Sequence, residues 1–374
     1  MLEKLDRVLE EFVSGTVAGA ADKVDASGDF PEDGIRAFLA TGLGGLISSK
    51  DHGGAGGGIR EASKVVERIG RVCGSTAMIA CMHYCGVQVI EALGDTATRR
   101  AVAQGKLLTT LAFSEAGSRS HFWAPTSTAT RDGEAIVLNA RKSWVTAAHH
   151  ADVYIWSSLP VAAAGLSTVW LVDRQTQGLQ PAAAFEGLGL RGNDSVPVTA
   201  TDARIAAERM LGEDGKGVDV MLGIVLPIFS LLNASAAVGL MSGAIGRSIE
   251  HMGATRFEHL DTAIKQLPTA RAYLARMQIK TDLVRALLDD AIRAVENPGP
   301  TTMLRVLEIK AAAGESATEV MDLAMRVCGG AALRKGTGVE RLFRDARAMT
   351  VMSPTTDQLY DFIGRALCGM DLFG

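Results

Sequence analysis

The sequence has no run of basic residues and no marked excess of either charge. Its 374 residues include 38 Lys and Arg against 42 Asp and Glu, a net charge of -4 at pH 7. Proteins that bind nucleic acid or an anionic membrane surface through charge need a basic patch. The composition therefore argues against a nucleic-acid partner. Because 47% of the residues are hydrophobic and 21% are charged, it indicates a globular chain.

Cysteine is scarce, and its arrangement favours no disulfide framework or metal site. The number is odd, and the five residues stand in apolar, helix-like segments: Cys73, Cys81, Cys85, Cys328 and Cys368. Cys81 and Cys85 are four residues apart, but no second pair or histidine set completes a zinc site. We therefore expect reduced core cysteines, no bound metal and a cytoplasmic protein.

Long apolar runs are also rare, and the main one covers residues 218–245. A membrane span is one interpretation of this run. The run contains Pro227 and Asn233, and its Gly, Ala and Ser residues suit close helix packing, so a buried core helix is favoured. The N-terminal sequence MLEKLDRVLEEF predicts an acidic amphipathic helix and lacks the features of a signal peptide. We expect no membrane insertion.

The sequence pattern changes twice along the chain. Residues 1–108 show helical periodicity, and residues 109–215 consist of short segments rich in Thr, Val, Ile and Trp separated by turn residues. Helical periodicity returns over residues 216–374. The order predicts an α+β protein with an N-terminal α-helical domain, a middle β domain and a C-terminal helical bundle.

Four segments, in order, carry a resemblance to a known family. They are LAFSEAGSRSHFWAPTSTA, LNARKSWVTAAHHADVYI, GLGLRGNDSVPVTATDARIAAERMLGEDGKG and VMDLAMRVCGGAAL, the last followed by VERLFRDARAMTVMSPTTDQL. They resemble the motifs of the acyl-CoA dehydrogenase family, and the likeness spans essentially the whole chain. It implies a middle β-barrel or sandwich domain and a C-terminal four-helix bundle.

The resemblance implies FAD as the cofactor and an acyl-CoA or carrier-bound acyl thioester as the substrate. It also implies a homodimer or homotetramer, because Arg256 matches the arginine that reaches a neighbouring subunit's FAD. An electron-accepting flavoprotein or a reductase is the expected redox partner. Arg suits a pyrophosphate because its guanidinium donates two hydrogen bonds at once.

The segments also suggest which residues surround the flavin. A flavin needs hydroxyl or backbone donors around its ring, and an aromatic side chain can form a flat wall beside it. Ser114, Trp144 and Thr146 suit these tasks, although Trp144 and Thr146 could instead be ordinary strand residues. The complete predicted cofactor set is Phe113, Ser114, Ser120, Trp144, Val145, Thr146, Arg256, Gly329, Gly330 and Thr355.

The sequence departs from the family at the catalytic base. In most members a Glu in a Tyr-Glu-Gly-Thr segment removes the substrate's α-proton, and here Ser353 occupies that position. The alternative position for the Glu, on the first helix of the last domain, falls on Phe229 and Ser230. Serine cannot remove this proton unaided, although its backbone N–H could still polarise the thioester carbonyl.

Other side chains could replace the missing base. The candidates are His83 in a helix that lines the family's acyl pocket, Asp357 one turn beyond Ser353, and His121. A histidine on an apolar helix is, however, more often an ordinary core or pocket residue. We expect the substrate to contact Arg119, His121 and Phe229.

Three functions fit these features. The first is an acyl thioester dehydrogenase, of the EC 1.3 type, with a non-standard base. The second is a flavin-dependent monooxygenase or N-oxygenase of the same fold, which needs no base at that position; some such enzymes carry a proline close to where Pro354 falls. The third is a homologue that binds flavin or acyl-CoA and has lost catalysis.

Overall fold

The N-terminal part of the protein is helical. The computed structural model describes residues 1–118, 121–184, 186–259 and 261–372. Helix α1 is amphipathic, and it buries Leu5, Leu9 and Phe12, which are spaced one helical turn apart. The helices of this part are α1 Leu5–Phe12, α2 Ala18–Ser27, α3 Glu32–Ala40, α4 Ile59–Gly70, α5 Gly74–Leu93 and α6 Thr96–Ala103.

Two sheets follow. The first has the order β1-β4-β5, in which β1 and β4 are parallel and β4 and β5 antiparallel. The second has the order β2-β3-β7-β6, and its pairs are antiparallel. The strands are β1 Thr109–Ala112, β2 Thr128–Asp132, β3 Ala135–Val145, β4 Val153–Ser158, β5 Thr168–Asp173, β6 Leu179–Pro181 and β7 Val196–Ala206.

Strand β4 is buried on both faces, because it lies between the helices and the second sheet. All six of its residues are buried. Tyr154 and Trp156 belong to the core between the two sheets, whereas Val153 and Ile155 belong to the helical core. Successive side chains of a strand point to opposite faces, so one strand joins two cores.

The C-terminal part is helical again. Helices α7, α8 and α9 pack on one another, α12 packs on α9, and α4 of the N-terminal part packs on α7. A two-stranded hairpin, β8 Arg256–Phe257 and β9 Thr262–Ala263, connects α7 to α8. The helices are α7 Leu226–Ala254, α8 Pro268–Glu296, α9 Thr302–Cys328, α10 Val339–Ala346, α11 Ala348–Val351 and α12 Thr356–Leu367.

The long apolar run forms a core helix. A π-helical segment, Asp219–Val225, leads into α7, and Gly239 of α7 lies against the backbone of α4. A Cβ at Gly239 would stand 2.3 Å from the carbonyl oxygen of Glu67, so only glycine allows this close crossing. Two helices, Gly74–Leu93 and Asp219–Ala254, are long and apolar enough to cross a membrane, but 72% and 78% of their apolar windows are buried inside the protein.

The predicted α+β fold is confirmed, with helical, β and helical parts in the expected order. One cysteine was predicted incorrectly. Cys73, Cys81, Cys85 and Cys328 are buried and free, but Cys368 is exposed. Cys368 directly follows α12, where the chain leaves the core.

Candidate active site

A cavity of about 1090 Å³ lies between the β sheets and the C-terminal helices. The ends of β1 and β3, the loop before β7, the start of α7 and the segment after α11 all contribute to its wall. Its lining is mainly apolar, as expected of a pocket that binds a small molecule or a cofactor. Five predicted site residues outside the catalytic set line it: Phe113, Ser114, Trp144, Thr146 and Phe229.

The end of β3 supplies an aromatic wall and a hydroxyl. Trp144, the penultimate residue of β3, is 64% exposed, although its neighbour Val145 is buried. Its φ angle of 57° is in the left-handed region, which is unusual for a bulky residue and often marks a functional position. The hydroxyl of Thr146 is buried and lies 3.0 Å from that of Ser195. Both Thr146 and Ser195 line the cavity.

The end of β1 is fixed by a buried ion pair. Lys142 Nζ donates to Glu115 Oε1 at 2.5 Å and to the carbonyl of Ser157 at 2.7 Å. The other oxygen of Glu115 accepts from the N–H groups of Thr126 and Ser127. Burial lowers the pKa of Lys142 to about 8, and the contacts with Lys142 and the two hydroxyls hold the pKa of Glu115 below its usual value despite burial. This pair anchors the loop that carries Ser114.

The opposite wall is formed by α7 and the segment that follows α11. Phe229, Met352 and Ser353 line the cavity there. Lys310 of α9 lies behind this wall and donates to the carbonyl oxygens of Met352 at 2.9 Å and Pro354 at 2.7 Å. Ser353, which the sequence resemblance aligns with the family's catalytic Glu, therefore lies in the cavity wall.

The loop before β7 is attached to α10. Arg344 donates to both carboxylate oxygens of Asp25 at 2.7 and 2.6 Å and to the carbonyl of Leu188 at 3.1 Å. Asp345 accepts the N–H of Leu190 at 2.6 Å, and burial raises its pKa to about 6. The arginines pair with α2, since Arg341 contacts Asp22 at 3.1 Å.

His83 lies outside the cavity lining and is fully buried. Its Nδ1 accepts the N–H of Thr109 at 3.1 Å, so Nε2 is the protonated nitrogen and donates to the carbonyl of Gly44 at 3.1 Å. Burial lowers its pKa to about 4. A histidine with both nitrogens engaged cannot approach a substrate carbon, so its placement corrects the interpretation of His83 as a base.

The other two candidate bases, Asp357 and His121, and the predicted cofactor residue Thr355 are not part of the cavity lining. Asp357 is exposed in the first turn of α12, and Thr355 is the N-cap of that helix and accepts the N–H of Gln358. His121 is also exposed, with its Nε2 at 3.4 Å from Gln358 Nε2. His121 precedes Phe122, which does line the cavity.

The predicted contacts to the far end of the cofactor stand at the surface of this chain. Arg256 is exposed and pairs with Asp261 at 2.7 Å, and Gly329 and Gly330 are exposed after α9. Val145 is buried in the core between the sheets and does not line the cavity. Arg119 and Ser120 lie outside the described residues.

Among the polar and charged residues that sequence reasoning missed, Asn193, Arg347 and Lys310 lie in or beside the site. Asn193 and Arg347 line the cavity, and Lys310 supports its wall. Asn193 belongs to one of the four family-like segments, which is a signal that could have identified it. Arg347 also belongs to a family-like segment, whereas Lys310 stands in the middle of α9, where a charged residue has many ordinary explanations.

The cavity fits a flavin. It combines an exposed indole, the hydroxyls of Ser114 and Thr146, and a volume slightly above the range of about 300–1,000 Å³ that is typical of ligand pockets. The side-chain oxygen of Asn193 is buried and has no hydrogen-bond partner among the described residues. An unpaired buried amide oxygen costs free energy unless a ligand donates to it, and a flavin ring has such a donor.

Three known domain families match the chain. The acyl-CoA dehydrogenase N-terminal domain matches residues 2–106, the middle domain matches residues 110–203 and the C-terminal domain matches residues 215–368. A relative, the cyclohex-1-ene-1-carbonyl-CoA dehydrogenase of Syntrophus aciditrophicus, is 28% identical over 359 residues, which are 94% of this chain and 86% of that protein.

Solved structures share the fold. Butyryl-CoA dehydrogenase from Megasphaera elsdenii has a TM-score of 0.91 at 20% identity and covers 98% of this chain and 97% of its own. The prolyl acyl carrier protein oxidase AnaB has a TM-score of 0.89 at 19% identity and covers 98% of each chain. Because the matching domain families together cover nearly the whole sequence, the chain belongs to the acyl-CoA dehydrogenase family.

Proposed function

We propose that this protein is an FAD-dependent enzyme that oxidises an acyl thioester between its α and β carbons without a carboxylate base at the usual position. The observation that carries the proposal is the cavity, in which Trp144 and Thr146 face a wall built from Phe229 and Ser353. Members of this family are FAD-binding flavoproteins of the oxidoreductase class. The thioester's carrier is CoA or an acyl carrier protein, as in the relative and the carrier-protein oxidase described above.

Each wall of the cavity has a separate task. Trp144, Ser114 and Thr146 would hold the flavin, which supplies an electron acceptor when bound. Phe229 and the other apolar residues exclude water and pack against the acyl chain. The backbone N–H of Ser353 has no protein acceptor among the described residues. A backbone donor of this kind can stabilise negative charge that develops on a thioester oxygen.

The α-proton needs an acceptor other than the usual Glu. Glu115 is the carboxylate among the described cavity-lining residues, and its oxygens are occupied by Lys142 and by neighbouring N–H and hydroxyl groups. His83 is unavailable because both of its ring nitrogens are engaged. Of the predicted bases, His121 is the first to test because it directly precedes Phe122, which lines the cavity. His121→Asn is expected to lower turnover without loss of bound FAD.

Anaerobic mixing of the FAD-loaded protein with a panel of acyl-CoA and carrier-bound thioesters tests the proposal. Substrate oxidation reduces the flavin, so its visible absorbance should fall. The α,β-unsaturated product should appear in equal amount by mass spectrometry. An unchanged flavin spectrum with every thioester, from a protein that retains its FAD, would reject the dehydrogenase function.

A flavin-dependent monooxygenase is the second candidate function. The cavity lining favours it, because its described residues include no free carboxylate. Oxygen activation needs no carboxylate at the position of Ser353. The discriminating measurement is oxygen consumption after the flavin has been reduced by a partner reductase. Oxygen uptake coupled to an oxygenated product, together with no anaerobic bleaching by thioesters, would favour this function. If both assays are negative, a homologue that only binds its ligands remains.

We also propose that the protein works as a homodimer or homotetramer and passes electrons to a flavoprotein partner. Arg256, Gly329 and Gly330 are exposed on this chain, as expected if they meet a neighbouring subunit's FAD. Arg256→Ala should then weaken FAD retention. Sedimentation velocity of the variant and the parent, each with and without FAD, measures assembly. Unchanged FAD binding and unchanged assembly would reject this role.

The buried reduced cysteines support a cytoplasmic location.

A further inference from the structure

Lys310 is a fully buried lysine in the middle of α9 that faces the back of the cavity wall. Its side chain is 0% exposed, and the elements around it are α5, α7 and the segment after α11. Its Nζ lies 5.6 Å from the centre of the Phe229 ring, which lines the cavity on its other side. Burying a lysine without a carboxylate partner is costly, so its hydrogen bonds need an explanation.

Those hydrogen bonds go to two carbonyl groups that flank Ser353. Nζ donates to the oxygen of Met352 at 2.9 Å and to that of Pro354 at 2.7 Å. A second polar group of the core also holds this segment, since Asn233 Nδ2 lies 3.4 Å from the sulfur of Met352. The segment has no regular secondary structure, because α11 ends at Val351 and α12 begins at Thr356. Its position therefore depends on these contacts.

The hydrogen bond from Lys310 to the Met352 carbonyl affects the cavity through a single peptide group. The carbonyl of Met352 and the N–H of Ser353 are the two ends of one planar amide. A donor on the carbonyl fixes the orientation of this amide and polarises it, which makes its N–H a stronger donor. That N–H belongs to a cavity-lining residue and has no protein acceptor among the described residues.

We infer that Lys310 is a positioning residue, which sets the Met352–Ser353 peptide so that the Ser353 N–H is presented to the thioester carbonyl in the cavity. The inference rests on the proposed function for the identity of the ligand. It gives this chain a way to stabilise charge on the substrate that does not require the missing carboxylate. Lys310 acts from behind the wall and does not touch the substrate.

The matched variants are Lys310→Met and Lys310→Gln, which have nearly the same size and differ in the amide donor that Gln retains. Thr281→Val is the control, because it removes a buried hydroxyl on α8 that donates to Met277 at 2.8 Å, away from the cavity. The first measurement is hydrogen exchange of peptides that cover residues 348–356 in the FAD-loaded proteins. Exchange of the Met352 amide, which donates to Ala348 at 3.1 Å, should rise about tenfold in Lys310→Met as this segment loosens.

The second measurement is steady-state turnover of a thioester that the parent oxidises. In Lys310→Met, kcat should fall by about tenfold or more while KM changes less than about threefold, because the lost interaction acts on developing charge. Lys310→Gln should lie between this variant and the parent, and Thr281→Val should leave both constants unchanged. A general loss of stability would instead lower activity in the control and in both Lys310 variants alike.

Two results would overturn the inference. One is unchanged exchange over residues 348–356 in Lys310→Met, which would show that Lys310 does not hold the segment. The other is faster exchange with an unchanged kcat, which would show that the held position does not matter for turnover. If the parent oxidises no thioester, the proposed function fails and so does the catalytic role of Lys310, whereas exchange still measures the contact by itself. If Lys310→Met does not fold, Lys310→Gln supplies the same comparisons.

Discussion

His83 offers a direct test of the conclusion that this histidine is a core residue and not a base. The proposed change is His83→Gln. A glutamine amide can still donate to the carbonyl of Gly44, as Nε2 does at 3.1 Å. It cannot also accept the N–H of Thr109, which Nδ1 accepts at 3.1 Å. An unsatisfied buried donor costs about 1–3 kcal/mol, so the variant should be less stable by about that amount at neutral pH.

The pH dependence of the free energy of unfolding provides the sharper test. Burial lowers the pKa of His83 to about 4, whereas an unfolded histidine titrates near 6.5. Between these two pH values the unfolded state therefore binds the proton more strongly than the folded state does. The contribution of neutral His83 to the free energy of unfolding is fully present above about pH 6.5 and is lost as the pH falls toward 4. This difference in proton binding lowers the parent's free energy of unfolding by about 2 kcal/mol between pH 7.5 and pH 5. His83→Gln should not show this decrease.

The assay is urea unfolding of the FAD-loaded parent and variant at several pH values from 5 to 7.5, followed by circular dichroism, with kcat measured on the same samples. The stability difference between the two proteins should shrink by about 2 kcal/mol as the pH falls. Turnover per folded molecule should stay within about threefold, since a distant core change alters positioning more than chemistry. A difference that is independent of pH, or a kcat that collapses in a stable variant, would refute the structural role.

Further changes separate the roles of other residues. Lys142→Met leaves the buried carboxylate of Glu115 unpaired and should cost about 3–5 kcal/mol in unfolding free energy; a loss below about 1 kcal/mol in chemical denaturation would contradict this. Trp144→Ala removes the exposed aromatic wall and should weaken FAD binding to the apoprotein about tenfold, with little effect on stability; an unchanged fluorescence titration would exclude Trp144 from the flavin site. Asp25→Asn breaks the bidentate contact with Arg344 and should cost about 1–3 kcal/mol, measured as a lower melting temperature; an unchanged one would show that the contact is not stabilising.

Residues that lie close to a motif were predictable from the sequence. Ser114, Trp144 and Thr146 stand at the ends of two strands, and the resemblance of their segments to family motifs suggested that they lie together at one site. Phe229 and Ser353 were predicted because they align with the two positions of the family's catalytic Glu, and both line the same cavity. In each case the prediction came from the resemblance of a short segment to a family motif.

Residues whose role depends on distant partners were not predictable in this way. His83 is held by Gly44 and Thr109, which are 39 and 26 residues away, and a helical pattern cannot show that both ring nitrogens are engaged. The two main acceptors of Lys310 are 42 and 44 residues along the chain. These contacts are created by packing between helices, which sequence periodicity does not specify.

The attachment of α10 to α2 has a consequence for the cavity. Arg344 joins Asp25, which is 319 residues away in sequence, to the loop that carries Leu188 at the edge of the site. The first helices are thus not a cap that can open independently of the rest. Proteolytic removal of the N-terminal helices, or a clash that lifts them, would release that loop, so the amount of cofactor retained should report whether the two termini of the chain are still docked.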